Sequence, residues 1–433
     1  VSLERLANCG FAAMLAHHFG SAQPEGTTAL YWRRRAECTD CGPAPLANMI
    51  NNSDLVRFIG VERETAEGRP QNDDCKQCRY FNLVEPGWLI GRGEGSHHPW
   101  PNLDREDSWL MPTSSHDQPP WPVRVVDDTS TAANLWARKV DGVYYLVGGE
   151  AVGPGEPDYR DDQENRDGIR VLRASSIDEL RQGKLLQPRH DDNSTLAIGL
   201  YHPGCVTARQ DDGICMYDSK VSLVRHHTKE HGIFWLIFVR ANLKDHGGRY
   251  VQAARTRGGA IQGPYGAFEQ IDIVGYDRSG PANLYFMTVN NNPLDNSTLL
   301  ALMPVNEGEV GKGNGAGESY IALAISCDGT HWSSLTKLVS TTGFLGRTYD
   351  QPVDGLLYEE GRLYFFMHHD VPNISPAAFE KSRISRYEFG IEALTAITDR
   401  AKETLQGCQH APPSTPPPPS PAPPPPPPPP PTP

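Results

Sequence analysis

No stretch of this 433-residue chain approaches the ~20 consecutive apolar residues of a membrane-spanning helix, so membrane insertion is not expected. It also lacks a basic block. Lys and Arg number 40 against 53 Asp and Glu, a net charge of −13 spread along the chain. That balance excludes the electrostatic footprint of nucleic-acid binding and disfavours an anionic membrane surface as partner. No EF-hand-like loop and no cofactor-binding motif is present, although acidic and carbonyl oxygens are compatible with a structural calcium. Helical stretches of roughly 10–15 residues alternating with strands are missing too, which argues against a βαβ sheet.

Proline is ordinary in the body of the chain and concentrated at one end. Residues 412–433 hold 17 of the 39 prolines. With φ fixed and almost no backbone N–H to donate, this run forms neither helix nor sheet, and the expectation is a polyproline II rod of roughly 70 Å. Residues 406–433 are therefore a tail. Residues 1–125 form a second distinct region: short helices are expected in SLERLANCGFAAMLAHHFG, then irregular Pro-, Gly- and Trp-rich loops held by Trp100, Trp109 and Trp121.

From Leu135 the pattern becomes short strands bounded by turn residues. LWARKVDGVYYLVGG reads as a hairpin through Asp141-Gly142, and GIFWLIFVRA, ANLYFMTVN, YIALAIS and RLYFFMHHD follow. Their blade-sized spacing points to a mainly β fold, a β-propeller over residues 126–405.

Nine cysteines, four Asn-x-Ser/Thr sequons (Asn51, Asn193, Asn296, Asn373) and a first residue that is Val rather than Met together lead us to expect secretion. Cys38, Cys41, Cys75 and Cys78 form two C-x2-C pairs, which suit either tetrahedral zinc or, in an oxidising compartment, two disulfides. Cys205 and Cys215 flank a turn and read as a disulfide. Cys9, Cys327 and Cys408 remain, an odd number that leaves one free or bonded to another chain. The adjacent pairs His97-His98, His226-His227 and His368-His369 are poor metal sites, because neighbours on a strand face opposite ways. His227 and His231 have helical ligand spacing on flanks that do not read as helix, and no metal is expected there.

SYIALAISCDGTHWSSLTKLV carries a strand ending in Ser326, Asp328, Gly329 and Trp332, and Gly142-Val143-Tyr144-Tyr145-Leu146 carries a second repeated element. Across about 130–395 these resemble the five-bladed propeller glycoside hydrolases of the arabinanase and xylosidase type. The resemblance implies acids at the starts of the innermost strands. One would fall near Asn134-Leu135, where this chain has an amide and where Asp127 or Asp128 serves only with a shifted register. Glu269 matches the general acid, with Asp272 nearby pointing to the other face, and Asp350 or Asp354 the third carboxylate. The tail, from Ser414 onward, resembles the extensin-like hydroxyproline-rich glycoproteins of algal and plant walls, which implies hydroxylated, glycosylated prolines.

Two functions follow as expectations. The first is an extracellular structural glycoprotein, carrying covalent glycans and joined head to tail with other copies of itself in a wall or fibril. The second is a wall-attached glycoside hydrolase acting on arabinan- or xylan-type glycans, or a related sugar-binding propeller.

Overall fold

The computed structural model describes residues 50–64, 79–94, 106–112, 123–126, 135–149, 168–181, 196–199, 201–206, 215, 217, 220–243, 249–280, 282–307, 318–341, 350–369, 371, 383–405 and 408. For 60–64, 79, 92–94, 106–112, 123–126 and 181 it describes the backbone alone. The chain is mainly β, laid out as antiparallel sheets that follow one another in sequence. Sheet I is β2 (Arg79–Glu85), β3 (Trp88–Glu94), β4 (Glu106–Pro112) and β5 (Val123–Val126). Sheet II is β6 (Trp136–Val140), β7 (Val143–Gly148), β8 (Gly168–Ala174) and β9 (Leu196–Gly199), with a short helix α1 (Ile177–Arg181) before its last strand.

Sheet III is β10 (Ser222–Thr228), β11 (Gly232–Asn242), β12 (Arg249–Arg255) and β13 (Glu269–Gln270). In sheet IV, β16 (Thr288–Asn291), β17 (Leu299–Asn306), β18 (Ser319–Ser326) and β20 (Thr336–Ser340) are the main strands. The short β15 (Asn283–Leu284) adds to β17, and β14 (Asp272–Ile273) pairs in parallel with β19 (His331–Trp332). Sheet V is β21 (Gln351–Glu359), β22 (Arg362–His369) and β23 (Arg383–Phe389). Its fourth strand comes from far upstream: β1 (Val56–Glu64) runs antiparallel to β23. Helix α2 (Ile391–Thr404) follows.

Strands β11, β17, β18 and β22 are buried on both faces, which is why they read as apolar runs rather than alternating ones. In β22, Leu363, Phe365 and Met367 enter the cluster shared with sheet IV and α2, while Tyr364 and Phe366 enter the cluster shared with Phe81 and Leu89 of sheet I. Other apolar clusters lie between sheets I and II (Ile90, Leu146), II and III (Val171, Ile237) and III and IV (Phe238, Ala301).

Two sequence motifs act as expected. Asp141 (φ 49°) and Gly142 (φ 82°) both lie at positive φ, the two-residue turn that joins β6 to β7. Asp328 Oδ1 accepts the backbone N–H groups of Thr330 and His331 at 2.8 Å each. Gly329 (φ +83°) leaves no room for a Cβ, which would meet Leu236 Cδ1 at 2.3 Å. Trp332 is fully buried and its indole N–H donates to Gly329 O at 3.0 Å. Burial alone would raise the Asp328 carboxyl, but the donors from His331 and Thr330 hold it below the usual range.

Residues 56–126 differ from the irregular region expected, since five strands lie there. WLIGRGE contains glycine and charges, and EDSWLMP contains charges and no β-branched residue, so backbone pairing and not propensity makes them strands. Residues 1–49, with the expected short helices, and the tail lie outside the described residues, as do Trp100 and Trp121; at Trp109 only the backbone is described.

Candidate functional site

The first strands of the sheets lie side by side: β2 touches β6 and β21, and β16 touches β10 and β21. Polar side chains meet on them. Asn82 of β2 donates through Nδ2 to Leu135 O at 2.9 Å and Tyr80 O at 3.1 Å, and its Oδ1 accepts from Lys220 Nζ at 2.5 Å. Lys220, just ahead of β10, also donates to Leu135 O at 2.8 Å and lies 3.7 Å from Asp354 Oδ2. Asp354 of β21 accepts from Arg138 of β6 and from Ser222 Oγ of β10, each at 2.7 Å. Ser222 Oγ in turn accepts the backbone N–H of Val289 in β16 at 2.9 Å. One network thus touches all five sheets.

This network is built to fasten. Asn82 and Asp354 have no exposed surface, and Lys220 has 1%. Burial pushes the Lys220 ammonium down to about 8, with Asp354 opposing the shift and Arg138 adding to it. Asp354 accepts two hydrogen bonds, faces two cations and is fully buried, so it has no free face toward a substrate. Removing one member of such a buried set leaves charge without a partner, which costs more than the set contributes.

A second group lies where the first strands begin. Tyr80 is buried at a positive φ (55°), uncommon for a bulky residue, and its hydroxyl lies 2.8 Å from that of Tyr285. The Arg249 guanidinium stacks 4.5 Å from the Tyr285 ring centroid. Asp350, immediately before β21 and 2% exposed, lies 3.1 Å from His369 Nδ1. His369 Nε2 is 3.0 Å from the Tyr387 hydroxyl, which burial holds protonated by raising its pKa. His368 points the other way, edge-on to Phe81 at 4.9 Å, and burial pushes it down to about 3.

The expected acids do not all gather here. Glu269 is exposed on β13, the outer strand of sheet III, and Asp272 is exposed on β14. Asp350 and Asp354 are buried near β21, Asp354 locked in the network above. Asp127, Asp128 and Asn134 lie outside the described residues. A whole sheet precedes β6, so Asn134 stands ahead of the second sheet and not the first.

The adjacent histidines diverge as strand geometry requires: His226 is buried with Nε2 2.9 Å from Cys327 O, while His227 is exposed. His97 and His98 lie outside the described residues. Among the described residues no group of three or more His, Cys, Asp or Glu is arranged to hold a metal. Cys205 and Cys215 are disulfide-bonded, and a second bond joins Cys327 to Cys408, so two of the three unassigned cysteines pair with each other. Cys9, Cys38, Cys41, Cys75 and Cys78 lie outside the described residues. Asn51 and Asn296 are exposed; Asn193 and Asn373 are not described. Sequence reasoning missed Asn82, Arg138, Lys220 and Ser222 altogether. Only Lys220 leaves a trace, as a lone cation ahead of the apolar run VSLV.

No family model and no curated protein matches the chain. Solved structures with a similar course include an N-acetylgalactosamine deacetylase from F. plautii, in complex with blood group B trisaccharide, at 12% identity and TM-score 0.44 over 80% of this chain and 98% of that one. The family 117 glycoside hydrolase Zg3597 from Zobellia galactanivorans has 12% identity and TM-score 0.41 over 78% and 90%. The alpha-L-arabinanase of Penicillium chrysogenum, complexed with arabinobiose, has 10% identity and TM-score 0.37 over 77% and 97%. At these identities and TM-scores the likenesses assign this chain neither a fold nor an activity.

Proposed function

We infer that the five sheets close into a five-bladed propeller and that this head works outside the cell as a glycoside hydrolase on arabinan- or xylan-type glycans. One observation carries the reading: a carboxylate stands shortly before the first strand of four of the five sheets. Asp73 and Asp74 precede β2, Asp127 and Asp128 precede β6, Asp218 precedes β10 and Asp350 precedes β21. Glycoside hydrolysis needs two carboxyl groups flanking the bond, one to protonate the leaving oxygen and one to attack or to activate water. First strands that run the same way around a propeller bring such groups to one mouth. Tyr285, partly exposed beside Arg249 at the same strand starts, supplies a flat face of the kind that stacks on sugar rings. Two disulfides and two exposed sequons support an oxidising exterior. Asp350, Asp128 and Asp218 are the acids we assign to the mouth; Glu269, exposed on an outer strand, is a poorer candidate.

The test is sugar release from a panel of arabinans, xylans and related glycans, run beside a binding assay on the same polymers. Release supports the reading. Binding without release replaces it with a sugar-binding head. Neither would leave the structural-glycoprotein reading, which the 17 prolines of residues 412–433 favour independently. In that reading hydroxylated tail prolines, glycans on Asn51 and Asn296, and head-to-tail contacts between copies build a wall or fibril. Deleting residues 412–433 then abolishes fibrils in electron micrographs of native material; fibrils that persist without the tail contradict it.

A further inference from the structure

Both flanking segments join the domain at the same sheet. On the N-terminal side, Ile50 forms a β-bridge with Val339 of β20, Asn51 N–H donates to Leu338 O at 2.8 Å, and Ser340 Oγ donates to Asn51 Oδ1 at 3.1 Å. On the C-terminal side, α2 buries Leu394, Thr398 and Ala401 against the cluster between sheets IV and V. It is pinned to the β16–β17 connection of sheet IV twice. Asn292 Nδ2 donates to Thr398 Oγ1 at 3.1 Å, and Lys402 Nζ pairs with Asp295 at 2.6 Å. Beyond the helix, Leu405 and Cys408 are buried, and Cys408 is bonded to Cys327, the residue after β18. The proline-rich run starts at residue 412.

The geometry points to sheet IV as the attachment pole of this domain, with the Cys327–Cys408 bond carrying tension from the proline-rich segment straight into β18. Without the bond, a pull on residues after 408 would peel α2 from its groove, then draw on β23 and its pairing with β1, the pairing that completes sheet V. With the bond, the pull reaches β18, which is hydrogen-bonded to β17 on one side and to β20 on the other. Because Ile50 is held by β20, tension between the two flanking segments crosses the Ile50–Val339 bridge and the β18–β20 pairing, with the backbone beyond Ile50 leading on to β1 of sheet V. Sheets I, II and III stay out of its path. A stiff polyproline rod transmits tension with little stretch, which makes the position of its root matter. The inference does not depend on whether the mouth cleaves glycans.

Single-molecule pulling on the full chain, with handles at its two ends, tests this. In the oxidised protein the first rupture should be the main one, with no earlier release of α2, and the loop spanning 81 residues should stay unextended, roughly 27–29 nm short. In a C327S/C408S double variant an early step of at most about 6 nm, the extended length of residues 391–408, should appear below the main rupture force. An early step in the oxidised protein would overturn the inference, as would a variant that ruptures at the same force with no early step. Should the variant fail to fold, the same comparison is made on the oxidised protein before and after adding reductant. The bond between Cys205 and Cys215, 10 residues apart, is told apart by its much shorter length release.

Discussion

The centre of the molecule and the rim at sheet IV solve the same problem, joining sheets, with opposite chemistry. At the centre Asn82, Arg138, Lys220, Ser222 and Asp354 link five sheets through buried hydrogen bonds and charges. At the rim, sheets IV and V and α2 are joined by apolar side chains such as Leu302, Leu323, Phe365 and Leu394, then sealed by a disulfide. The polar joint specifies position: its buried atoms bond to partners on several sheets at once, so a sheet cannot slide without leaving a charge bare. The apolar joint tolerates small shifts and depends on the covalent bond for permanence.

The sharpest way to break this contrast is Asp354→Ala, which leaves the buried Lys220 and the half-buried Arg138 without their counter-charge. A loss of about 3–5 kcal/mol in denaturant unfolding is expected. Replacing Lys220 with Met at the same time should recover part of it, because a cation without a partner is then gone. The C327S/C408S pair comes next, with an expected loss of about 2–4 kcal/mol through the larger freedom of the unfolded chain.

The pH dependence of stability should separate the two joints more finely. Lys220 has a folded pKa of about 8, below the 10.5 of the free side chain. Between those values the unfolded chain holds the proton and the folded one does not, so stability rises with pH, by at most about 1.4 kcal/mol per unit. Lys220→Met should abolish that rise. Above pH 10 the sign reverses, because buried Tyr217, Tyr265 and Tyr387 resist the ionisation that the unfolded chain undergoes. On the acid side, His368 has a folded pKa of about 3 against 6.5 unfolded. Stability therefore falls as pH drops below about 6.5, at a similar maximal slope per unit. His368→Phe should flatten that limb. The smallest effect is expected at the surface of the closing strand. Arg57→Ala, which removes the exposed pair with Glu388 between β1 and β23, should cost less than about 1 kcal/mol.

The same contrast explains what could be read from the sequence. Apolar strands such as GIFWLIFVRA and RLYFFMHH announce themselves because both faces are buried, and the Asp-Gly turns at 141 and 328 mark the ends of β6 and β18. The Cys205–Cys215 bond was legible because the two residues flank a turn. Cys327 and Cys408 are 81 residues apart, and nothing local connects them. Sheet I was hidden because its strands owe their form to pairing, and the strand that completes sheet V lies at the other end of the described chain. The central network left almost no trace, since it takes one or two polar residues from each of several distant strands. Among the candidate acids, Asp128 and Asp350 were legible in the sequence, whereas Asp218 stands out only once the start of β10 is known.

That placement is the centre of the account, and hydrolysis rates test it most directly. On the best glycan found for the wild type, Asp128→Asn, Asp218→Asn and Asp350→Asn are to be compared with Glu269→Gln in the same preparation. Loss of a general acid, base or nucleophile typically lowers the rate 10²–10⁴-fold, and at least two of the three Asp variants should fall by roughly that much while Glu269→Gln stays within about twofold. A large loss at Glu269 with the three Asp variants active would contradict the account, and so would a wild type that releases no sugar.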